Sequence, residues 1–280
     1  MSFIKETNRL KTRKLLSGQE MPAIGFGTWE LSSSDIKRVL GIAINTGYKL
    51  IDTAKIYANE ISIGEVIRKS GFDRQDLFIT TKLWNDDQGY DSAVSACMAS
   101  LERLGLDYID LYLIHWPVTS RRSESWRALV DLQKIGKARA IGVSNFTVEH
   151  LEELKKTSNV TPSVNQVEFH PFIYEDQKKL LEYCKNNNIL IEAYSPVSRL
   201  SRRVFPVIQN IADRYGKTAS QVVLRWCIQH DTVPLPRSQN PEHIRKNFEV
   251  FDFELDEKAM TSLNRITDGI RVTWDPTGLR

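Results

Sequence analysis

From Ile24 to Pro236 the chain alternates two patterns: a short apolar run, then a longer stretch in which apolar residues recur every three or four positions. The runs are IGFGT (24–28), KLIDT (49–53), LFITTK (77–82), IDLYLIH (109–115), RAIGVS (139–144), SVNQVE (163–168), ILIEAY (189–194) and TVPLP (232–236). Near-continuous apolarity of this kind marks strands buried on both faces. The intervening stretches carry helix signals. Ile36, Val39, Leu40 and Ala43 form one stripe after Ser34-Asp35, and Gly47 supplies its stop. Val94, Met98 and Leu101 form another, closed by Gly105. Thr218, with Gln221 three residues on, has the spacing of a capping box and opens a helix that buries Val222 and Trp226.

Eight such alternations predict an α/β protein, a single (β/α)8 TIM barrel with residues 1–280 as one domain. Three patterns fall outside the alternation. Residues 14–24 read as a β-hairpin turning at Ser17-Gly18 and capping one end of the barrel. Helical patterns at 204–215, with Val207, Ile208, Ile211 and Tyr215, and at 256–264 are two additional helices. The competing doubly wound sheet often carries a glycine fingerprint after its first strand, but GFGTWE stands here and GxGxxG occurs nowhere.

Composition narrows the function classes. At 280 residues, 41% hydrophobic and 26% charged, the chain supports a sizeable core, and a net charge of +3 is too small to argue for nucleic acid. The N-terminal MSFIKETNRLKTRKLL lacks the apolar run of a signal peptide and no stretch is long enough to span a bilayer, so the expectation is a cytoplasmic protein without a membrane partner. Cys97, Cys184 and Cys227 sit singly, without CxxC spacing, and read as buried thiols rather than disulfides or zinc ligands.

Six of the apolar runs end at or near a polar side chain. Asp52, Lys82, His115, Ser144-Asn145, Gln166 and Tyr194 stand there, and Tyr57 follows Asp52 by five residues. Polar groups at the C-terminal ends of barrel strands point to one shared catalytic mouth. Within that set Asp52, Tyr57, Lys82 and His115 divide the work of an acid site. A phenol is a poor proton donor at neutral pH unless something stabilises its phenolate, and a lysine ammonium beside Tyr57 does so. Asp52 orients Lys82 and offsets its desolvation, while His115 donates to a substrate carbonyl. His170 and Glu168 invite a metal reading, but no HxH or HxxxH spacing accompanies them and no metal is expected. His150 and His230 read as surface residues, and Trp126 and Trp226 as core.

The strings DTAKIY, ITTKLW, LYLIHWP, GVSNF, NQVEFHP, AYSP and KNFEVFDFEL, in this order, resemble the aldo-keto reductase superfamily from Leu15 to Leu263. The resemblance implies a barrel that binds NADPH in extended form, with NADH as an alternative, and passes hydride to the carbonyl carbon of a small-molecule aldehyde or ketone. It implies Tyr57 as proton donor, Lys82 as the group that lowers its pKa, Asp52 as the holder of Lys82, and His115 as the group that positions the carbonyl oxygen. Ser144, Asn145 and Gln166 match the residues that bond the nicotinamide carboxamide, and Tyr194 matches the aromatic stacked on the ring. Gly27, Thr28 and Asp52 fall in the same cofactor site, and Ser195 and Val197 in the segment covering the pyrophosphate. Arg199 or Arg202 adds an ion pair across the phosphates; the plainer reading of that arginine cluster is a solvated loop.

At the adenosine end the sequence departs from the family. Arg237-Ser238 replaces the common Lys-Ser, His243 stands where an arginine is common, Lys246 where a glutamate is, and Asn247 is retained. Arginine at 237 keeps the charge for a 2′-phosphate. Trp29, Trp84 and Trp116, with Tyr57 and His115, are the expected substrate walls, and Trp274 in the tail is placed over the mouth. An aromatic pocket suits small carbonyl compounds with apolar bodies. The expected state is a monomer. The alternative within the same resemblance is a nucleotide-binding regulatory protein with negligible turnover, which the intact tetrad disfavours.

Overall fold

The computed structural model describes residues 11–118, 121–197, 205–266, 269 and 271–279. Its strands are β1 (Thr12–Lys14), β2 (Glu20–Pro22), β3 (Gly25–Gly27), β4 (Leu50–Asp52), β5 (Phe78–Leu83), β6 (Ile109–Ile114), β7 (Ala138–Ser144), β8 (Val164–Glu168), β9 (Leu190–Tyr194) and β10 (Val233–Leu235). The helices are α1 (Ser33–Thr46), α2 (Glu60–Lys69), α3 (Tyr90–Leu104), α4 (Arg122–Lys134), α5 (Val148–Thr157), α6 (Tyr174–Asn186), α7 (Phe205–Tyr215), α8 (Ala219–Gln229), α9 (Pro241–Phe248) and α10 (Glu257–Asn264).

Strands β3 to β10 form one parallel sheet, each paired with the next in sequence. The sheet curls until its first and last strands meet, where Gly27 N donates to Pro236 O at 3.0 Å. This is the expected (β/α)8 barrel, and the eight strands lie within a residue or two of the expected runs. The antiparallel hairpin β1–β2 begins two residues earlier than its apolar pattern suggested, because Thr12 pairs with Pro22.

Apolar and polar side chains are separated between the barrel's two ends. Leu15 and Met21 of the hairpin cluster with Leu50, Phe78, Leu111, Leu113, Val164 and Val233, so the hairpin closes the N-terminal end with a dry plug. Outside the barrel, two larger clusters bury the inner faces of the helices. The polar strand ends are left to the opposite, C-terminal end, where the site lies.

Several helix details differ from expectation. Ser32, not Ser34, caps α1: its Oγ accepts from Asp35 N and the Asp35 carboxylate accepts from Ser32 N. On α3 the buried face is Ala93, Ala96, Cys97, Leu101 and Leu104, while Met98 is 43% exposed. Small residues pack this helix closely, and a count of large apolar side chains misses them. Val207 is exposed on α7 while Ile208 and Ile211 are buried.

His150 is buried rather than on the surface. Its Nδ1 accepts from Thr147 N at 3.1 Å in a reciprocal cap, and its Nε2 faces Leu279 O. His230 is partly buried, edge-on to Trp226 at 4.5 Å and 2.9 Å from Asn264 Oδ1. A lone histidine in a helical pattern carries no mark of Leu279 or Asn264, which come from elsewhere in the chain.

Gly64 on α2 is a close-approach position, because a Cβ there would lie 2.1 Å from Leu104 O. Gly41 on α1 has nothing within 4 Å. Gly64→Ala is therefore expected to destabilise the protein by about 1–3 kcal/mol. Gly41→Ala is expected to stabilise it by roughly 0.5–1 kcal/mol. Urea unfolding midpoints of the two variants check this pair, and equal shifts would contradict the packing described.

Candidate active site

Lys82 organises the C-terminal end of the barrel. It lies on β5 with no solvent exposure, yet its Nζ has an oxygen for each of its three N–H bonds: Asp52 Oδ1 at 2.8 Å, Thr53 O at 2.9 Å and Tyr57 Oη at 3.2 Å. An ammonium has three donors and no acceptor, so this shell matches the charged form. Burial pushes the Lys82 pKa down, and Asp52 and Tyr57 together outweigh it, leaving the net shift upward.

The remaining parts are placed by local structure. Asp52 is the last residue of β4, and a 3₁₀ turn over Lys55–Tyr57 brings the phenol back over it, ended by Ala58 at φ 55°. Burial raises the Tyr57 pKa; Lys82 opposes that, while Asp52 and Glu192 add to it. The lysine thus acts in the expected direction, but in this cavity the desolvation of the phenol is the larger effect. His115 follows β6 and stands edge-on to Tyr57 at 5.8 Å and Trp84 at 5.2 Å. Burial and the Lys82 charge hold its pKa well below the ordinary histidine value, so the ring is neutral. Its Nδ1 is buried without a partner among the described residues, whereas the ring lines the cavity. The tautomer that avoids burying an unpaired N–H carries its proton on Nε2.

A second polar layer lies beside the tetrad. Asn145 takes a left-handed conformation at φ 63°, which asparagine tolerates better than most residues, and its Nδ2 folds back to His115 O at 3.0 Å and Ser144 Oγ at 3.1 Å. Ser144 Oγ donates to Gln166 O at 2.8 Å. The Tyr194 hydroxyl donates to Asn145 Oδ1 at 2.8 Å and lies 2.8 Å from the Thr273 hydroxyl. Gln166 Nε2 donates to Asp52 Oδ2 at 2.8 Å and to Glu192 Oε2 at 2.9 Å.

These groups border a cavity of about 880 Å³. Gly27, Trp29, Asp52, Tyr57, Trp84, His115 and Trp116 line it, as do Ser144, Asn145, Gln166, Tyr194, Ser195, Val197 and Arg237. Thr28 is turned into the wall, where its hydroxyl donates to Asp52 O at 2.8 Å. Ser238, His243 and Asn247 do not line the cavity. Ser238 is tied to the Asn240 backbone, His243 is exposed near the start of α9, and Asn247 is buried on that helix. Arg199 and Arg202 lie outside the described residues.

The partners of three acidic residues had no place in the sequence reading. Glu192 stands fully buried beside Gln166. Glu30 pairs with Arg237 at 2.5 Å across the cavity's outer lip. Glu168 anchors the C-terminal tail: it accepts from Val272 N at 2.6 Å, Thr273 N at 3.2 Å and Thr273 Oγ1 at 2.6 Å, and pairs with His170 at 2.9 Å. This clamp lays Trp274 against Trp116, ring centres 5.5 Å apart, over the mouth. An acidic residue inside an apolar run was the only signal for Glu168 and Glu192. Among the described residues no group of three His, Cys, Asp or Glu side chains is arranged to hold a metal ion.

A shielded ammonium aimed at a phenol, at the C-terminal mouth of a parallel barrel, defines a (β/α)8 enzyme. Comparison with known proteins makes the class specific. Residues 23–268 match the model of the Aldo/keto reductase family, and the chain belongs to that family. It is 45% identical to a glyoxal reductase of Bacillus subtilis over 98% of this chain and 99% of that one. It is 44% identical to a morphine 6-dehydrogenase of Pseudomonas putida, covering 94% and 93%. Among solved structures, an aldo-keto reductase from a deep-sea metagenome library superposes with a TM-score of 0.91 at 42% identity, covering 95% of this chain and 98% of that one. A Bombyx mori aldo-keto reductase in complex with NADP superposes with a TM-score of 0.87 at 34% identity, covering 94% of each.

The neutral, buried His115 has a consequence for stability. Its folded pKa lies below its unfolded value, so the unfolded chain takes up a proton that the folded chain does not, and stability falls as pH drops through the unfolded value. Each unit below about 6.5 costs about 1.4 kcal/mol until the folded ring itself protonates. His115→Gln is expected to reduce the loss between pH 7 and pH 5 by up to about 2 kcal/mol, measured by denaturant unfolding at both pH values.

Proposed function

We propose that the protein is an NADPH-dependent carbonyl reductase in which Tyr57 protonates the oxygen of an aldehyde or ketone. The observation that carries this reading is the Lys82 shell: the ammonium is held by Asp52 and Thr53 so that its third N–H meets the Tyr57 hydroxyl. The oxidoreductase relatives and the NADP-bound Bombyx mori structure support it.

The residues present fit a nicotinamide dinucleotide. Gln166 has both amide hydrogens committed to the carboxyl groups of Asp52 and Glu192, and among the described residues nothing donates to its Oε1, which is left as an acceptor for a carboxamide. Ser144 and Asn145 stand beside it, Tyr194 offers a ring to stack on, and Ser195 and Val197 continue the cavity toward Arg237. When bound, the reduced cofactor supplies hydride to the carbonyl carbon.

The chain's own residues handle the proton. As negative charge develops on the carbonyl oxygen, Tyr57 gives up its hydroxyl proton, and the phenolate left behind faces the Lys82 ammonium at hydrogen-bond distance. His115, protonated on Nε2 alone, donates a hydrogen bond to the same oxygen and carries no charge of its own. Trp29, Trp84, Trp116 and Trp274 wall the mouth with apolar surface, which suits substrates with apolar bodies and limits water around the reacting groups. One barrel domain carries both the cofactor and the substrate sites.

Arg237 is the group proposed to favour NADPH over NADH, and Glu30 tempers it. The pair lies at the cavity lip with both side chains partly exposed, so Arg237 must share its charge between a carboxylate and a 2′-phosphate. His243, at the exposed start of α9, adds charge only when protonated.

The test is consumption of NADPH and NADH across a panel of aldehydes and ketones, with fluorescence titration of each cofactor. Tyr57→Phe is expected to lower kcat by at least roughly 100-fold while leaving cofactor affinity within about twofold. Dinucleotide binding without turnover on any carbonyl would refute the reductase reading. Arg237→Gln is expected to weaken NADPH roughly tenfold with little effect on NADH. Glu30→Gln is expected to tighten NADPH selectively, and equal effects on both cofactors would exclude the assignment of Arg237.

A further inference from the structure

The mechanism above uses Asp52, Tyr57, Lys82 and His115 and leaves a fifth ionisable group at the centre of the barrel unexplained. Glu192 lies in the middle of β9 with no solvent exposure, directly beside Gln166 of β8 in the strand register. A carboxyl so placed has a cost in water-free surroundings that the fold retains for some return. Its Oε2 accepts a hydrogen bond from Gln166 Nε2 at 2.9 Å, and its Oε1 is buried without a partner among the described residues.

We propose that Glu192 is a positioning residue that locks the Gln166 amide in one orientation, so that the Gln166 carbonyl oxygen is presented to the cofactor carboxamide. The proposal rests on the reductase reading. A primary amide can sit in a site in either of two orientations, and its neighbours decide which. Asp52 alone would hold one N–H of Gln166 at 2.8 Å and leave the second free. With Glu192 on the other side both N–H bonds are taken, and Oε1 is the only part of the amide left to face a ligand. Exchanging the nitrogen and oxygen would set the carbonyl against the Asp52 carboxylate.

The charge state of Glu192 follows from its neighbours. The charged groups facing it are Asp52 on β4 and Lys82 on β5; from the two flanking strands it meets Gln166 and Val233, which carry no charge. Burial, reinforced by Asp52, pushes its pKa up to about 8, against Gln166 and Lys82. At neutral pH the carboxyl is therefore protonated, and Oε2 remains an acceptor for Gln166 Nε2. Above that pH a second anion arises beside Asp52, and it raises the Tyr57 phenol further.

The folded pKa lies above the unfolded one, so the unfolded chain holds fewer protons between the two values. Stability from this group is full below the unfolded value and is lost as pH rises toward about 8. E192Q replaces the protonated acid by a neutral side chain of the same shape and removes this loss.

The experiment compares the full chain with E192Q and E192A, by NADPH fluorescence titration at pH 7 and thermal unfolding from pH 5 to pH 9. E192A, which frees one N–H of Gln166, is expected to bind NADPH roughly tenfold more weakly, and E192Q to recover most of that loss. The Tm of E192Q relative to the parent is expected to climb between pH 5 and pH 8 and then level off. An E192A protein that binds NADPH like the parent overturns the proposal. So does an E192Q protein that binds NADPH as weakly as E192A, and, where E192A fails to fold, an E192L protein that binds NADPH like the parent. Failure of the reductase reading has a different signature, a parent protein that binds no NADPH at all.

Discussion

The site depends on one charge held out of water. Removing a lysine ammonium from solvent costs several kcal/mol even after the protein relaxes around it. Lys82 meets that cost with three oxygens, of which the Asp52 carboxylate is the only full charge. The consequences spread outward. Asp52 must end its strand where both carboxylate oxygens are used, one by Lys82 and one by Gln166. The Tyr57 turn must bring the phenol to the remaining N–H. His115, close to the same cation, is kept neutral and is suited to donate a hydrogen bond without adding charge.

The barrel makes this arrangement tolerable by separating its two ends. The plug formed by the β1–β2 hairpin and the lower strand residues is purely apolar, while the polar shell is confined to the C-terminal rim. Stability and chemistry thus draw on different residues of the same strands: Leu50 packs below and Asp52, two positions on and facing the same way, binds above. The tail extends the rim, since Glu168 gathers the backbone of Val272 and Thr273 and sets Trp274 against Trp116. The Thr273 hydroxyl beside Tyr194 links the tail to the end of β9.

Electrostatics across the cavity is graded. Its deep end is crowded with ionisable groups whose charges nearly cancel, whereas its outer lip carries the exposed Glu30–Arg237 pair. Screening by salt weakens the outer pair far more than the inner one, so the lip is the more condition-dependent part of the cavity.

Much of this was legible in the chain alone. Apolar runs separated by amphipathic stretches determined the strand order and the barrel, because strand burial on both faces and helix burial on one leave different periods in the sequence. The Thr218–Gln221 cap and the Gly47 stop were local for the same reason: their partners lie within four residues. Asp52, Lys82 and His115 were visible as polar residues at the ends of apolar runs, and Tyr57 as a phenol five residues past Asp52. What only the tertiary structure decided are the pairings between distant segments: Glu192 with Gln166, Glu30 with Arg237 across 207 positions, Glu168 with the tail, and the buried partners of His150 and His230. A sequence pattern records which face of an element is wet or dry; it does not record which acid meets which donor once eight strands close into a ring.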